Sequence, residues 1–252
     1  MVVGLPSSDE LEGVRAAGRC VAATIVEMHA RLEPGVTTAD LDRVGADFLA
    51  AAGAEPAPPT VGFPAATCVS VNDEAAHGIP GTRVIAAGDL VNIDVSASLN
   101  GFYADSGASF AVGDISGVRQ RLLGATQRAL DEALDRVKPG ALLNSVGRAV
   151  QTVADETGFI VVRNLCGHGV GGGLHEEPRA ILNYYEAGDR RRFAEGQVIT
   201  VEPFLSTNSD RAIEGDDGWT LRTSLGGLVA QFEHTVVVAK NGVEILTSRE
   251  AQ

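Results

Sequence analysis

Four acidic residues stand inside stretches of the sequence that are otherwise apolar and strand-like. They are Asp94 within residues 90–95, Asp105 on the second arm of the same predicted hairpin, Glu202 within residues 198–204 and Glu233 within residues 228–238. A carboxylate buried without a partner is strongly unfavourable, so each must either face solvent or meet a cation. One such residue is readily explained as a solvated acid on a strand face. Four in similar apolar settings indicate a shared cation site.

Two of the five histidines, His168 and His175, lie in the glycine-rich stretch 167–178. Five of the seven residues from 167 to 173 are glycine, which lets the backbone approach a ligand closely. One histidine with four carboxylates combines hard oxygen donors with one borderline nitrogen donor. That set suits Mn²⁺, Fe²⁺, Co²⁺ or Zn²⁺ in a two-metal cluster, with the choice of metal left open.

Other motif interpretations are weaker. Residues 167–172 match the glycine pattern of a dinucleotide site, but that pattern must open a helix, and Pro178 and the missing apolar stripe argue against one. The zinc motif HExxH fails because the fifth position of the motif, counted from His175, is Arg179. No GxSxG is present, and Cys68 and Cys166 lie in apolar stretches where inert thiols are expected.

The elements that must position these residues recur twice along the chain. Helix signals follow Ser7 and Thr37, and strands are predicted at 67–71, 90–96 and 102–112. The second half predicts helices at 118–137 and 144–158, then strands near 160–162, 198–201, 219–222 and 229–238. The two Pro-Gly pairs, at 34–35 and 139–140, are separated by the same number of residues as Gly53 and Gly158. This matched order favours an internal duplication, with the site between the halves.

Composition limits the partners and the compartment. The 252 residues carry a net charge of −13, which disfavours nucleic acid and anionic membrane surfaces. The three cysteines are far apart and form no CxxC pair, as expected in a reducing compartment. No apolar run approaches the roughly 20 residues of a membrane helix, and the first residues lack the pattern of a secretion signal. A cytoplasmic protein is expected.

Several stretches together resemble one enzyme family, the type I methionine aminopeptidases. The matching stretches, in order along nearly the whole chain, are residues 70–80, 91–95, 101–105, 167–178, 200–203 and 231–235. The resemblance implies an α+β pita-bread fold, in which two pseudo-two-fold αα-ββ halves place a curved antiparallel sheet under helices. It implies a single catalytic domain over residues 1–252, with repeat halves of roughly 8–112 and 114–246.

The same resemblance implies five metal ligands and two divalent ions, Co, Mn, Fe or Zn. The ligands would be Asp94, Asp105, His168, Glu202 and Glu233, with Asp94 bidentate to one ion and Asp105 and Glu233 bridging. The enzyme would remove the N-terminal methionine of nascent proteins and peptides through a hydroxide held between the two ions. Glu202 would act as the general base. The implied partners are peptide N-termini that start with Met, with the ribosome a further candidate and the protein a monomer.

The resemblance also assigns residues that contact the substrate. His77 and His175 would contact the scissile amide and the developing oxyanion. The methionine side chain would be held by Phe63, Cys68, Leu174 and Trp219. The chain departs from the family at Ser106, where Thr is usual, and at Leu174, where Phe is common. These departures concern the shape of the pocket and its selectivity for Met.

Two alternatives stay open at this point. A prolidase or Xaa-Pro aminopeptidase shares the fold and the five ligands, but usually carries a further N-terminal domain. A non-catalytic pita-bread binding module typically loses metal ligands, and all five types are present here.

Overall fold

The computed structural model describes residues 7–115 and 117–249. The helices are α1 (Ser8–Ala30), α2 (Thr38–Ala51), α3 (Val118–Leu134) and α4 (Asn144–Thr157), and a 3₁₀ helix spans Pro58–Val61. The strands before α3 are β1 (Glu55–Pro56), β2 (Cys68–Val71), β3 (Glu74–Ala76), β4 (Leu90–Leu99) and β5 (Phe102–Ala111). Those after α4 are β6 (Ile160–Val161), β7 (Cys166–Gly169), β8 (Glu176–Leu182), β9 (Val198–Val201), β10 (Phe204–Ser206), β11 (Ala212–Glu214), β12 (Leu221–Thr223), β13 (Val229–Gln231), β14 (His234–Ala239) and β15 (Gly242–Ile245).

The first two helices begin where their capping signals predict. The Ser7 hydroxyl accepts from the backbone N–H of Glu10, and the Glu10 carboxylate accepts from the N–H of Ser7. Thr37 and Asp40 form the same reciprocal pair at the start of α2. Each pair satisfies two of the N–H groups that a helix start leaves without partners.

All the strand pairings in the described part of the chain are antiparallel, and they form four sheets. The central hairpin, β4–β5, pairs on its other side with β1 and β2. The largest sheet has the order β15-β14-β9-β7-β8, and two three-stranded sheets have the orders β13-β10-β6 and β11-β12-β3. A single bridge between Ala108 and Phe232 joins β5 to the segment between β13 and β14.

Each pair of helices covers its own hydrophobic cluster. The first cluster lies between α1, α2 and the inner faces of β2 and β4, and includes Ile25, Leu41 and Ile93, all 0–1% exposed. The second lies between α3, α4 and strands β9, β10 and β14, and includes Leu122, Val150 and Ile199. The four acidic residues lie on or directly beside strands that contribute to these two clusters. Among the described residues, no helix combines the length and apolarity needed to cross a membrane.

The structure differs from the sequence prediction at two places near the candidate site. The strand predicted at 229–238 is broken at Phe232 and Glu233, which separate β13 from β14. The glycine-rich stretch 167–178, for which no strand is predicted, begins and ends in strands, because β7 pairs with both β8 and β9. No helix follows its glycines, in agreement with the sequence pattern that argued against a dinucleotide site.

Candidate metal centre and substrate cleft

The five predicted ligands lie within strands or directly beside them, and the packing of these strands brings them together. Asp94 and Asp105 lie on the two arms of the β4–β5 hairpin, His168 lies on β7, Glu202 follows β9, and Glu233 lies between β13 and β14. Asp105, His168 and Glu233 each offer a ligand atom within 4.8 Å of the other two. His168 Nε2 lies 3.8 Å from Asp105 Oδ2 and 3.6 Å from Glu202 Oε1. Asp94 lines the same two cavities as Asp105.

The carboxylates of this cluster are buried and carry more negative charge than their surroundings balance. Asp105 and Glu233 are 8% and 2% exposed. Burial raises the pKa of Asp94 to about 7. Burial and the neighbouring carboxylates raise the pKa values of Asp105, Glu202 and Glu233 well above their ordinary range. A bound cation would offset this repulsion.

Two further observations test whether the cluster fits divalent ions. Asp105 Oδ1 and Glu233 Oε1 are buried and have no hydrogen-bond partner among the described residues. Such orphaned acceptors are costly unless something binds them, and carboxylate oxygens are ligands that divalent cations favour. The His168 Nδ1 lies 2.9 Å from the Gly169 carbonyl, which can only accept, so Nδ1 carries the proton. Nε2 is therefore the unprotonated nitrogen, as a metal ligand requires. The donor set fits the ions.

Each of three ligands has a polar residue two positions earlier that the sequence analysis missed. Thr200 Oγ1 donates to Glu202 Oε1 at 2.9 Å and accepts from the His168 N–H at 3.0 Å. Gln231 Nε2 donates to Glu233 Oε2 at 2.9 Å. Asn92 lies two positions before Asp94, and its side-chain amide donates to Gln231 Oε1 at 2.7 Å. Residues two apart share a strand face, so the spacing itself was a signal of this supporting layer.

Two cavities meet at the carboxylate cluster. One, of about 300 Å³, is lined on its apolar side by Val61, Phe63, Cys68, Leu174 and Trp219. The other, of about 260 Å³, is lined by Cys166, His168, Arg179, Glu202 and Phe204 among others. Both cavities share His77, Asp94, Asp105 and His175. A ligand that spans both cavities must therefore pass directly over the cluster.

The predicted substrate residues all line this cleft. Phe63 and Trp219 stand edge to face, with ring centroids 5.3 Å apart. The His175 ring lies 4.4 Å from the His168 ring. His77 and His175 remain open to solvent within the cleft, and desolvation by the surrounding protein lowers the pKa of each. Both are thus neutral near pH 7 and able to donate one hydrogen bond.

Comparison with known proteins places these features in a family context. The model of metallopeptidase family M24 matches residues 12–240. Methionine aminopeptidase 2 of Bacillus subtilis is 45% identical over 243 residues, which cover 96% of this chain and 98% of the relative. The crystal structure of methionine aminopeptidase from Rickettsia prowazekii has a TM-score of 0.94 at 37% identity, covering 98% of this chain and all of the other. A prolidase from Pyrococcus furiosus has a TM-score of 0.77 at 21% identity, with 98% of this chain and 66% of the prolidase covered, a likeness of fold alone.

Proposed function

Because this chain belongs to metallopeptidase family M24, we propose that it removes the N-terminal methionine from peptides and nascent proteins by metal-dependent hydrolysis. One observation on this chain supports the proposal independently of its family membership. The apolar cavity of about 300 Å³ ends at the carboxylate cluster, where a second, more polar cavity begins. An enzyme that cuts after the first residue needs this arrangement, with an apolar site for that residue on one side of the hydrolytic centre and a path for the rest of the chain on the other.

We propose the five residues of the cluster as the ligands of two divalent ions: Asp94, Asp105, His168, Glu202 and Glu233. Two ions of this kind, when bound, supply the Lewis acidity that lowers the pKa of a water and polarises the scissile carbonyl. The buried, mutually repelling carboxylates and the orphaned Asp105 and Glu233 oxygens support this assignment.

Glu202 is proposed to move the proton. Thr200 Oγ1 donates to Glu202 Oε1, which leaves Oε2 as the oxygen that takes a proton from the attacking water and gives it to the leaving amine. His175, neutral and at the junction of the two cavities, donates to the oxyanion that develops on the scissile carbonyl. His77, at the same junction, contacts the scissile amide.

The methionine side chain is proposed to occupy the apolar cavity against Phe63, Cys68, Leu174 and Trp219. An unbranched thioether fills an irregular apolar space well and makes favourable contacts with aromatic rings, here the Phe63 and Trp219 pair. The free α-amino group would be a ligand of a metal ion held by the cluster, and an acylated nitrogen is a poor donor. A blocked N-terminus should therefore not be a substrate.

We further propose that residues 1–252 form one catalytic domain with repeat halves of roughly 8–112 and 114–246. The two hydrophobic clusters, one beneath each pair of helices, support this division. We propose that the protein acts as a cytoplasmic monomer on nascent chains, with the ribosome as a candidate partner. Gel filtration, and sedimentation with ribosomes, would test the last two points.

A tripeptide assay on protein reconstituted with Mn²⁺ tests the function directly. We expect Met-Ala-Ser to release methionine, and acetyl-Met-Ala-Ser and Pro-Ala-Ser to remain intact. A matched peptide, Ala-Pro-Ser, measures Xaa-Pro cleavage in the same assay. Preferential release of alanine from Ala-Pro-Ser would favour the prolidase alternative, and no release from any peptide would favour a binding module.

A further inference from the structure

An ionic network centred on the buried Glu74 lies beside the turn that carries His77. The Glu74 side chain is 9% exposed. Its Oε1 accepts from Arg83 at 2.9 Å and from Arg222 at 2.7 Å, and its Oε2 accepts from the backbone N–H of Val71 at 2.7 Å. None of these residues belongs to the proposed ligand set, so the hydrolytic mechanism leaves the network unexplained.

The network joins two polypeptide segments that both contribute to the lining of the apolar cavity. Glu74 and Arg222 are direct partners in the antiparallel pairing of β3 with β12. His77 follows β3 immediately, and Trp219 lies two residues before β12. Both side chains line the apolar cavity. The Glu74–Arg222 pair therefore ties the segment that carries His77 to the segment that carries Trp219.

The backbone at His77 needs this outside support. Its φ is 53°, in the left-handed region that a residue with a side chain adopts only at some cost. On one side the turn is held by hydrogen bonds of Gly78 with Ser70 Oγ at 3.0 Å and with the Val69 N–H at 3.0 Å. On the other side it is continuous with β3, which the Glu74 side chain ties to its neighbours.

We propose that Glu74 is a positioning residue, whose carboxylate bridges Arg83 and Arg222 and so holds His77 and Trp219 at their working separation across the methionine site. The inference rests on the proposed function, because that function gives His77 its role in contacting the substrate. It assigns Glu74 no contact with substrate.

The charge of Glu74, rather than its shape, is what the two arginines require. Both guanidinium groups donate to the same oxygen, Oε1, so they lie side by side. Without the carboxylate, they repel each other in a half-buried setting, with Asp73, 3.0 Å from Arg222, as the remaining acidic contact. The repulsion would drive β12 away from the segment that follows His77. Neutralising one arginine should relieve it.

Kinetics in two backgrounds test the proposal. We expect Glu74→Gln to lower kcat on Met-Ala-Ser about tenfold in the otherwise unchanged enzyme, and less than twofold when His77→Ala is also present. Such non-additivity is the signature of one residue acting through another. Adding Arg83→Gln to Glu74→Gln should restore most of the lost kcat. An equal loss of kcat in both backgrounds, or no loss in either, would overturn the proposal.

Tryptophan fluorescence gives a second readout that needs neither metal nor activity. Trp219 is the only tryptophan of the chain, so its emission reports on this wall of the cavity alone. We expect Glu74→Gln to shift the emission to longer wavelength and to increase quenching by acrylamide, and the added Arg83→Gln to reverse both changes. An unchanged spectrum would contradict the proposal, even if the protein failed to cleave any methionyl peptide.

A matched control separates positioning from loss of stability. Glu244 makes two hydrogen bonds with Arg15 of α1, at 2.7 and 2.8 Å, and this ion pair lies outside the cleft lining. Glu244→Gln removes one carboxylate from an ion pair of similar geometry away from the cleft, and should leave kcat and Trp219 emission unchanged. If it impairs kcat and emission as Glu74→Gln does, the Glu74 effect is one of general stability and the proposal is wrong.

Discussion

Cys68 and Asp94 are direct partners in the antiparallel pairing of β2 with β4. Cys68 lines the apolar cavity, and Asp94 lies at the boundary of both cavities. One strand register therefore fixes the wall of the cavity and a proposed metal ligand together. A slip of β2 by one residue would turn the Cys68 side chain to the other face and out of the cavity beside Asp94, so the register of this pair fixes the first-residue site relative to the hydrolytic centre.

Replacing Glu202 by glutamine should reduce kcat at least about 100-fold, because an amide cannot take a proton from water, and general-base catalysis commonly contributes 10²–10⁴-fold. The Thr200 hydroxyl can still donate to the amide oxygen, so the fold should be retained. Steady-state kinetics with Mn²⁺ held saturating, and circular dichroism, measure the two effects. The exposed Glu195→Gln serves as the control for charge and should keep full activity. Near-normal turnover by the Glu202 variant would remove this residue from the mechanism.

The apolar lining of the first cavity predicts discrimination against an oxidised substrate. Peptides headed by norleucine, which has the size of methionine and no polar atom, should be cleaved with a kcat/KM within about tenfold of the methionyl peptide. Methionine sulfoxide places a polar oxygen against Phe63, Leu174 and Trp219, and burying it without a partner should lower kcat/KM more than about tenfold. Competition between the three peptides in one reaction gives the ratios directly. Equal cleavage of the sulfoxide would mean that another site holds the first side chain.

Sequence alone predicts the parts of this site that depend on local patterns. The caps of α1 and α2 are predictable because Ser7 and Thr37 act on residues three positions away. The four acids stand out because their neighbours are apolar. Strands β7 and β8 are not predictable in this way, since their glycines and Pro178 disfavour strands, and pairing with β9 determines their conformation.

Contacts between residues that are far apart in sequence account for most of what the sequence does not predict. Glu74 meets Arg222 across 148 positions, and no local pattern links the two. The supporting residues Asn92, Thr200 and Gln231 show the opposite case. They are two positions from a predicted ligand, so a search for polar residues of strand period beside each acid would have found them.

Chelated protein should lose stability as the pH rises from about 5 to about 7.5. Burial raises the pKa of Asp94 to about 7 in the folded, metal-free chain, whereas an unfolded aspartate titrates near 4. Between these values the folded state binds a proton that the unfolded state does not, so the free energy of unfolding falls with pH. Urea unfolding at several pH values measures the slope, and Asp94→Asn should reduce it, with Asp105, Glu202 and Glu233 supplying what remains. Adding Mn²⁺ at pH 7.5 should raise the melting temperature of the unmodified protein and that of Asp94→Asn much less. A slope of opposite sign in the chelated protein would contradict the account of the buried cluster.

Gly167 is predicted to be irreplaceable because the backbone of β9 passes beside it. A Cβ added there would lie 2.4 Å from the Thr200 carbonyl oxygen, and backbone at that position cannot move without displacing the adjacent strand. Gly167→Ala should therefore disturb the bond from the His168 N–H to Thr200 Oγ1, and weaken Mn²⁺ binding at least about tenfold in calorimetric titration.

Gly124 offers the matched substitution for this test. It lies exposed within α3, and an added Cβ there would meet nothing within 4 Å. Gly124→Ala should raise the free energy of unfolding by about 0.5–1 kcal/mol, because alanine loses less backbone entropy than glycine in a helix, and should leave Mn²⁺ affinity unchanged. If Gly167→Ala binds Mn²⁺ as tightly as Gly124→Ala, then the spacing of β7 and β9 does not govern how His168 and Glu202 are presented to the metal.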